Sequence, residues 1–485
     1  MICDNKDHTL RRTKIIATLG PATSSLEMIE KIIVAGVNVA RINFSHGTKE
    51  SQRSLVENVR KVSKKLNRVI GILGDLQGPK IRIACFKQGF VEIKQGQDFT
   101  LDASFDSQKG DNKMVGIDYK SLPSDVMPDD LLLLDDGRLS MKVKEVKGSA
   151  IICEVVQGGK LSNHKGINRL GGGLSAEALT DKDKEDIKLA IDLAVDYLAV
   201  SFPRDACDIK YARELVQEQG ANIDIIAKIE RQEAVENISE IIQVSDGVMI
   251  ARGDLAVEIG DAEVPVVQRR ITHLTRSLNK PVIIATQMME SMIMNSVPTR
   301  AETSDVATAV LENSDAVMLS AETATGQYPV KTVKKMAEIC LRVEQQPFTQ
   351  LSKHRVESRF ERVDVAVAMA TMYTANHLDI KAIIALTESG ATTLWMSRIR
   401  TGIPIFALSQ SKATLGRVTL YRGVYPVEFD IMQSTRDSVN ADAVEGVRSL
   451  GVLSHGDKVI LTKGDFLGVG GRSNAMKILE VGEVI

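Results

Sequence analysis

Two carboxylates stand where two consecutive predicted strands end. Glu230 closes the apolar segment 224–230, and Asp254 follows the next such segment, 246–251. Carboxylates on neighbouring strand ends can share one Mg2+, which prefers oxygen ligands and leaves coordination positions for a substrate. Lys228 alternates with Glu230 along its strand, so both side chains are expected to face the same side. An ammonium beside a metal suits a phosphoryl group, whose charge spreads over its oxygens.

Three further polar clusters follow predicted strands. The segment ARINFSHG places alternate residues on one face, and its Arg41 offers a planar fork that matches a phosphate. The segment GDLQGPKIR has no G-x-x-x-x-G-K-[ST] spacing, which excludes a P-loop. Thr286 ends the strand of IIATQM, where its hydroxyl can relay a proton or cap the following helix. The other polar members of the first two clusters are Asn43, Ser45, His46, Asp75, Gln77, Lys80 and Arg82.

The elements that must position these residues follow an alternating pattern. Eight short apolar, β-branched runs, from TKIIATLG to AVMLSAET, are separated by helical stretches. Strands that alternate with helices predict a parallel sheet, and eight such units predict a closed (β/α)8 barrel. Most of the runs end on a polar or charged residue, as the active-site rim of a barrel requires. The predicted fold class is therefore α/β, with a TIM barrel as the catalytic domain.

Two more domains are predicted beside the barrel. The long segment between the third and fourth runs contains short alternating strands broken by Gly or Asp-Gly turns, which indicates an inserted all-β lid. The run Gly171–Gly173 is either a hinge of this insert or a plain loop. A second α/β pattern follows Glu344. The predicted boundaries are 1–78 and 174–344 for the barrel, 79–173 for the β-barrel lid and 345–485 for the C-terminal α/β domain.

The composition limits the class of protein. The 485 residues include 61 Lys plus Arg and 63 Asp plus Glu, a balance that favours neither nucleic acid nor a membrane as partner. Five separated cysteines without a Cys-x-x-Cys pair are typical of a reducing compartment, and no apolar run is long enough to span a membrane. The charged start lacks a signal-peptide pattern. We therefore expect a cytoplasmic protein, and any metal in it to have oxygen ligands.

The motifs ARINFSHG, GDLQGPKIR, AKIE, ARGDL, ATQMMESM and LSAETATGQYP resemble those of pyruvate kinases, in the order found in that family. The plan of a barrel, an inserted lid and a C-terminal α/β domain is similar too, so the resemblance covers nearly the whole chain. It implies Mg2+-dependent phosphoryl transfer from phosphoenolpyruvate to ADP, which gives pyruvate and ATP at the last step of glycolysis. The chain resembles the bacterial, potassium-independent subgroup of the family.

The resemblance also implies roles for the residues at the strand ends. Glu230 and Asp254 would hold the catalytic Mg2+, and backbone amides around Gly253 and Asp254 would receive the substrate carboxylate at a helix N-terminus. Lys228 would stabilise the transferring phosphoryl group and then the enolate of pyruvate. Arg41 would bind phosphate.

Proton delivery and nucleotide binding involve two further sets of residues implied by the family. A proton would reach the methylene carbon through Thr286, Ser320 and Glu322, although a water can deliver it instead. Closing the lid over a nucleotide that carries a second Mg2+ would assemble the site and exclude solvent. The implied nucleotide contacts are Thr18, Pro21, His46, Arg82 and Lys165, of which the last lies in the lid.

One departure from the family pattern concerns the monovalent cation. Many relatives hold K+ near Asn, Ser, Asp and Thr residues and carry a glutamate where this chain has Lys80. Asn43, Ser45 and Asp75 are retained here, whereas Leu76 replaces the threonine and brings no hydroxyl. An ammonium, with a reference pKa of ~10.4, stays charged beside carboxylates and phosphates. We hypothesise that Lys80 replaces K+; the alternative is an exposed hinge lysine in an enzyme that still binds K+.

The C-terminal domain contains the loop TESGAT between a strand and a helix. Hydroxyls and amides at a helix N-terminus make a phosphate pocket or an ordinary cap, and this loop resembles the family's effector loop. The effector would be an activating sugar phosphate or AMP, and Ala391 stands where some relatives carry a basic residue. The glycine-rich run 463–474 either closes over the same pocket or is a flexible loop. The candidate contacts are Thr387, Ser389, Gly390 and Thr392.

Two other functions are compatible with parts of the pattern. A metal-dependent pyruvate aldolase or lyase would share the barrel, Mg2+ and the enolate, but would need no nucleotide lid. A catalytically inactive metabolite sensor would keep the effector domain, but the catalytic residues named above are all present, which argues against it. The family further implies a homotetramer.

Overall fold

The computed structural model describes residues 10–350, 359–435, 437–464 and 473–483 of the chain. Up to residue 75 its elements are β1 (Lys14–Thr18), α1 (Leu26–Ala35), β2 (Val39–Asn43), α2 (Lys49–Leu66) and β3 (Gly71–Asp75). The insert contains β4 (Phe90–Ile93), β5 (Asp98–Asp102), β6 (Met114–Gly116), α3 (Leu122–Asp125), β7 (Leu131–Leu134), β8 (Leu139–Lys147), β9 (Ala150–Gln157), β10 (Gly159–Ser162) and β11 (Ile167–Arg169).

Helices and strands alternate again after the insert. The elements are α4 (Asp181–Asp192), β12 (Tyr197–Val200), α5 (Ala206–Glu218), β13 (Asp224–Ile229), α6 (Gln232–Glu236), α7 (Ile238–Val244), β14 (Gly247–Ala251), α8 (Arg252–Ile259), α9 (Val264–Ser277), β15 (Val282–Ala285), α10 (Arg300–Leu311), β16 (Ala316–Leu319), α11 (Ala321–Ala324) and α12 (Pro329–Glu344). The C-terminal elements are α13 (Val363–His377), β17 (Ala382–Leu386), α14 (Ala391–Ser397), β18 (Ile405–Ser409), α15 (Lys412–Val418), β19 (Val424–Glu428), α16 (Val439–Arg448), β20 (Lys458–Lys463) and β21 (Ala475–Glu480).

Eight parallel strands form a closed barrel in the order β1-β16-β15-β14-β13-β12-β3-β2. They are the eight apolar runs predicted from the sequence, so the predicted TIM barrel is confirmed. Every residue of β1, β3 and β14 is buried, because strands of a (β/α)8 barrel are covered by side chains on both faces. This double burial is why these segments are continuously apolar instead of alternating.

The insert is built from β-strands, as predicted. They form a six-stranded sheet in the order β11-β7-β8-β9-β5-β6 and a two-stranded ribbon of β10 and β4. Alternate residues such as Phe99, Leu101, Leu132 and Leu134 are buried in its core. The short helix α3 was not predicted, because its Leu-Pro-Ser-Asp sequence is equally typical of a turn.

The C-terminal segment forms a five-stranded sheet in the order β19-β18-β17-β20-β21, in which β21 runs antiparallel to β20. The second α/β pattern is thereby confirmed. The sequence does not predict α15, α16 and β21 as separate elements of this pattern. Helix α15 is short, and β21 has partly exposed, charged residues that lack the apolar run of a central strand.

By the contacts among Cα atoms, the chain divides into two compact units. The first comprises residues 1–75, 189–198 and 272–485, and the second comprises 76–188 and 199–271. This division separates strands of the barrel from one another, so the domain boundaries expected from the sequence stay a prediction. Within the described ranges, no helix combines the length and the hydropathy that a membrane span requires.

Candidate active site

Lys228 and Glu230 lie at the carboxyl end of β13, in the second unit, and form an ion pair. The Nζ of Lys228 lies 3.0 Å from Oε1 of Glu230 and donates a hydrogen bond to Oγ of Ser201 at 2.7 Å. The other carboxylate oxygen of Glu230 accepts from the backbone N–H of Phe202 at 3.0 Å. Lys228 is 8% exposed and Glu230 is 1% exposed. A buried ammonium is therefore fixed in position by a carboxylate and a hydroxyl.

Asp254 lies in the first turn of α8 and pairs with Lys80. The Nζ of Lys80 donates to Oδ1 of Asp254 at 3.0 Å. Burial, the largest influence on Lys80, lowers its pKa, but the charge and hydrogen bond of Asp254, with the charges of Asp136 and Glu230, raise the pKa above its usual value overall. Lys80 thus keeps its positive charge. The side chains of Lys80 and Asp254 are 27% and 23% exposed, so a ligand can reach them.

The chemistry of Glu230 and Asp254 fits Mg2+. Their strands β13 and β14 are paired in parallel, with Ile229 opposite Ile250, and both residues follow the strand ends. In the part of the chain that the structure describes, no group of three or more His, Cys, Asp or Glu side chains is placed to hold a metal. Two carboxylates suit Mg2+, which keeps several waters and takes further oxygens from phosphates. Gly253 lies beside Asp254 in the same helical turn, where the helix dipole favours an anion.

Arg41 is held at the end of β2, in the first unit. Its Nε donates to Oδ2 of Asp75 at 2.6 Å, and its Nη1 donates to Oγ1 of Thr18 at 2.8 Å. Thr18 in turn donates to the carbonyl of Leu319 at 2.8 Å. Thr18, expected to contact the nucleotide, therefore also orients the guanidinium of Arg41, which is 8% exposed.

The other residues of the expected monovalent-cation region divide between the units. In the first unit, Oδ1 of Asn43 accepts from the backbone N–H of Ser45 at 3.0 Å. In the second unit, Leu76 is 1% exposed and its carbonyl accepts from Ser201 Oγ at 2.7 Å. Because a leucine side chain has no oxygen atom, Leu76 cannot be a side-chain ligand of a monovalent cation.

Thr286 follows β15 with an unusual backbone conformation. Its φ is +65° and that of Gln287 is +55°, a left-handed region that β-branched residues rarely adopt. The Oγ1 of Thr286 donates to the carbonyl of Ala285 at 2.7 Å. Such strain at a strand end is typical of functional sites.

Ser320 and Glu322 follow β16. The carboxylate of Glu322 accepts from the backbone N–H groups of Ser320 at 2.7 Å and Met289 at 3.2 Å, and burial raises its pKa. The Oγ of Ser320 is buried and has no hydrogen-bond partner among the described residues. A buried hydroxyl without a hydrogen-bond partner lowers the stability of the folded protein unless a ligand or a water molecule forms that hydrogen bond.

Two of the expected nucleotide contacts lie together in the insert. Arg82 is paired with Gly166 in an antiparallel bridge, and Lys165 precedes that glycine. The Nη1 of Arg82 donates to the carbonyl of His164 at 2.9 Å, and the Nζ of Lys165 lies 2.6 Å from Oδ1 of Asp135. The other expected contacts belong to the first unit, where Pro21 begins a short 3-10 turn and His46 is exposed.

The expected effector loop, 387–392, contains Gly390, which caps α14. Gly390 has a φ of +79°, and a Cβ there would lie 2.9 Å from Val418. Its N–H donates to Oγ1 of Thr387 at 2.9 Å, and Oγ1 of Thr392 lies 2.7 Å from Oγ of Ser473. The hydroxyls of Thr387 and Thr392 are thus used inside the protein, whereas Ser389 is partly exposed. Most of the glycine-rich run, 465–472, lies outside the described residues.

Glu258, which was not predicted from the sequence, connects two segments of the second unit. Its Oε2 accepts from the backbone N–H of Gln232, just after β13, at 2.9 Å. Its carbonyl accepts from the N–H of Gly171 at 3.0 Å, in the glycine run whose three residues all have positive φ. Burial raises the pKa of Glu258 to about 7, with a further upward contribution from Glu233. The burial of Glu258 cannot be predicted from the sequence, because a glutamate on a short helix is usually exposed.

We expect Glu258→Gln to weaken the pH dependence of stability. A carboxyl whose pKa is raised by folding destabilises the folded state when it is ionised, so the wild type should gain stability as pH falls from about 8 to 5. Calorimetric melting temperatures should show the wild type gaining roughly 2 to 5 °C relative to the variant over this range. The exposed Glu218→Gln should follow the wild type. Parallel pH profiles of wild type and Glu258→Gln would refute this assignment.

The closed barrel, with carboxylate, ammonium, guanidinium and hydroxyl groups at its strand ends, defines the class of (β/α)8-barrel enzymes. Comparison with known proteins then identifies the family. Residues 10–333 match the family model for the pyruvate kinase barrel domain, and residues 365–479 match the model for the pyruvate kinase alpha/beta domain. The chain therefore belongs to the pyruvate kinase family.

Individual relatives cover almost the full length of the chain. Pyruvate kinase II of Salmonella typhimurium is 54% identical over 478 residues, which are 97% of this chain and 99% of the relative. A pyruvate kinase of Haemophilus influenzae is 52% identical over 459 residues, or 94% and 96% of the two chains. One from Staphylococcus aureus is 41% identical over 479 residues, or 98% and 81%.

Proposed function

We propose that this protein transfers the phosphoryl group of phosphoenolpyruvate to ADP with the help of Mg2+. The observation that carries the proposal is the buried Lys228–Glu230 pair, whose strand is the parallel neighbour of the one that leads to Asp254. The experiment is an assay of pyruvate formation that requires ADP and Mg2+ together. A pyruvate aldolase or lyase would form pyruvate without ADP.

In the proposed reaction, a β-phosphate oxygen of ADP attacks the phosphorus while the bond to the enol oxygen breaks. Mg2+, held by Glu230 and Asp254, would supply positive charge for the phosphate, the carboxylate and the enolate. Lys228 donates a hydrogen bond to an oxygen of the transferring group, because Ser201 and Glu230 fix its ammonium. No large movement of Lys228 is needed, which favours the transition state.

Arg41 is proposed to hold the phosphate of the substrate. Its Nε and Nη1 are occupied by Asp75 and Thr18, and among the described residues its Nη2 has no hydrogen-bond partner. The buried carboxylate and hydroxyl thus leave both N–H groups of Nη2 for an anion while they fix the plane of the guanidinium. The amides around Gly253 and Asp254 are proposed to receive the substrate carboxylate at the start of α8.

The enolate left by phosphoryl transfer must gain a proton at its methylene carbon. We assign this step to a relay that includes Thr286 and Ser320, with Glu322 orienting the Ser320 backbone. The hydroxyl of Ser320, which lacks a partner among the described residues, supports the assignment. A water can serve as the last donor in this relay.

The nucleotide contacts are proposed from the resemblance to the family. Arg82 and Lys165, close together in the insert, are proposed to bind phosphates of a nucleotide that brings a second Mg2+. Their present partners, a carbonyl and the carboxylate of Asp135, can be exchanged for phosphate oxygens. The proposed contacts from the first unit are Thr18, Pro21 and His46.

Lys80 is proposed to replace the K+ of other family members. Its raised pKa and its bond to Asp254 support a permanent cation beside a proposed metal ligand. We expect the wild type to work at the same rate with and without KCl, at constant ionic strength. Lys80→Glu should be about a hundredfold slower without K+ and should recover in part with KCl, because the new carboxylate both repels Asp254 and offers a cation site.

Steady-state rates in tetramethylammonium and potassium buffers test this expectation. Lys87→Glu changes the same charge at an exposed position of the insert and should behave like the wild type. A Lys80→Glu enzyme that is neither slower nor responsive to potassium would rule out Lys80 as the built-in cation.

The remaining expectations are proposals that rest on the family. They comprise an activating phosphorylated effector at Thr387, Ser389, Gly390 and Thr392, a homotetramer, a cytoplasmic location and the three-domain division with its lid at 79–173. The bond between Thr392 and Ser473 supports the effector site, because it joins the loop to the glycine-rich run.

A further inference from the structure

A cavity in the first unit is lined by four arginines that are far apart in the sequence. The free space between the lining residues, open solvent included, is about 290 Å3. The arginines are Arg12, Arg276, Arg400 and Arg422, and Ser397 and Ile399 bring the end of α14 to the wall. We call it the four-arginine cavity. The expected effector loop, 387–392, lies at the start of α14, whereas the cavity is lined by residues at and beyond the end of that helix.

Neutral oxygens satisfy many donors of these arginines. The Nη1 of Arg12 donates to the carbonyl of Thr349 at 2.9 Å, and its Nη2 donates to the carbonyl of Glu344 at 2.6 Å. The Nη1 of Arg276 donates to the carbonyl of Asn313 at 2.6 Å. Carbonyl dipoles complete hydrogen bonds, but they do not neutralise a buried positive charge.

The carboxylates around the cavity are too few to balance the guanidiniums. Asp315 is fully buried and is bound by both terminal nitrogens of Arg398. Glu344 accepts from the backbone N–H of Arg12 at 2.7 Å and lies 3.4 Å from Nη2 of Arg422. Among the described residues in these contacts, two carboxylates face five guanidiniums, those of the cavity and that of Arg398.

Burial and the neighbouring guanidiniums lower the pKa of two of the arginines. For Arg276, burial, then Arg398 and more weakly Arg422 and Arg400 lower the pKa to about 9, while Asp315 acts in the opposite direction. Burial and the charge of Arg422 also lower the pKa of Arg400. An anion in the cavity would reverse both effects by pairing with the guanidiniums.

Two of the arginines have donors to spare. The Nη2 of Arg422 is buried and, apart from its ion pair with Glu344 at 3.4 Å, forms no hydrogen bond within the described part of the chain. The guanidinium of Arg400 forms no hydrogen bond or ion pair with any described residue and is partly exposed. We propose that the four-arginine cavity binds a tetrahedral oxyanion, either inorganic phosphate or the phosphoryl group of a small metabolite. Planar guanidinium forks match such an anion with paired hydrogen bonds, which a halide cannot use.

Arg400→Gln tests the proposal. It removes one positive charge from the cavity without the loss of a hydrogen bond or ion pair to any described residue. Calorimetric titration of the full chain with inorganic phosphate, in chloride buffer of constant ionic strength, should show binding that Arg400→Gln weakens about tenfold. Arg448→Gln removes an exposed arginine of α16 and should bind phosphate like the wild type. Equal phosphate binding by wild type and Arg400→Gln would overturn the proposal.

Melting temperatures separate an anion site from a structural arginine. Without phosphate, Arg400→Gln should melt at the same or a higher temperature than the wild type, because one repelling charge is gone. Addition of phosphate should raise the melting temperature of the wild type more than that of the variant. An equal loss of stability in both buffers would contradict the anion site and leave Arg400 a structural residue.

A parallel titration with a hexose monophosphate identifies the source of the oxyanion. If Arg400→Gln weakens its binding as well, the phosphoryl group of a metabolite is a ligand of the cavity. If only inorganic phosphate responds to the substitution, the free ion is the ligand. Either result supports the site, whereas no response to the substitution by either compound refutes it.

Discussion

Lys228→Met is expected to lower kcat about a thousandfold, with a much smaller change in the KM for phosphoenolpyruvate. The wild-type ammonium is buried and fixed by Ser201 and Glu230, so it is placed to stabilise charge that develops on the transferring group. An interaction of this kind acts more strongly in the transition state than in the ground state. Steady-state kinetics with saturating ADP and Mg2+ measure both constants.

Loss of Lys228 also leaves the buried Glu230 without its ion-pair partner, which lowers stability. The melting temperature of the variant must therefore be measured, and rates compared well below it. Lys188→Met removes an exposed lysine of α4 in the same unit and should leave kcat unchanged. A folded Lys228→Met enzyme with more than about a tenth of the wild-type kcat would contradict the proposed role of Lys228.

Asp315→Asn is expected to cost about 3 to 5 kcal/mol of stability. Asp315 is fully buried, binds both terminal nitrogens of Arg398 and accepts from the backbone N–H groups of Val282 at 3.0 Å and Arg422 at 3.1 Å. The asparagine would leave Arg398, which is 2% exposed, as an uncompensated buried charge. Differential scanning calorimetry and denaturant titration measure the loss.

The exposed pair of Asp379 and Lys381 provides the control, because Asp379→Asn should change stability by less than about 0.5 kcal/mol. The double variant Asp315→Asn with Arg398→Met should be more stable than Asp315→Asn alone, since it also removes the buried guanidinium that has lost its partner. A cost for Asp315→Asn similar to that for Asp379→Asn would show that Arg398 does not depend on this partner.

The barrel was predictable because its strands are buried on both faces and therefore form short apolar runs, such as those of β3 and β14. Patterns of this kind depend only on local sequence. The edge strand β21 was not predictable, because partial exposure mixes charged and apolar residues along it. The division into two units also has no local signal, since it depends on contacts between distant segments.

Residue types and strand ends provided the candidate site residues, whose roles stay a prediction. The sequence does not show which side chains bind each other in the site. Lys228, for example, binds Ser201, which follows a different strand. The left-handed backbone conformation of Thr286 also cannot be predicted from the sequence, since threonine usually avoids this conformation. The four-arginine cavity was missed for a similar reason: Arg12, Arg276, Arg400 and Arg422 form no motif, and only folding brings them to one cavity.

Pyruvate formation from phosphoenolpyruvate, ADP and Mg2+ in potassium-free buffer tests the proposed activity most directly. We expect a substantial rate that disappears when ADP or Mg2+ is omitted and does not rise when KCl is added at constant ionic strength. A rate that appears only with KCl would keep the phosphoryl transfer and discard Lys80 as the built-in cation. Pyruvate formation that is independent of ADP, or none in either buffer, would contradict the proposed function.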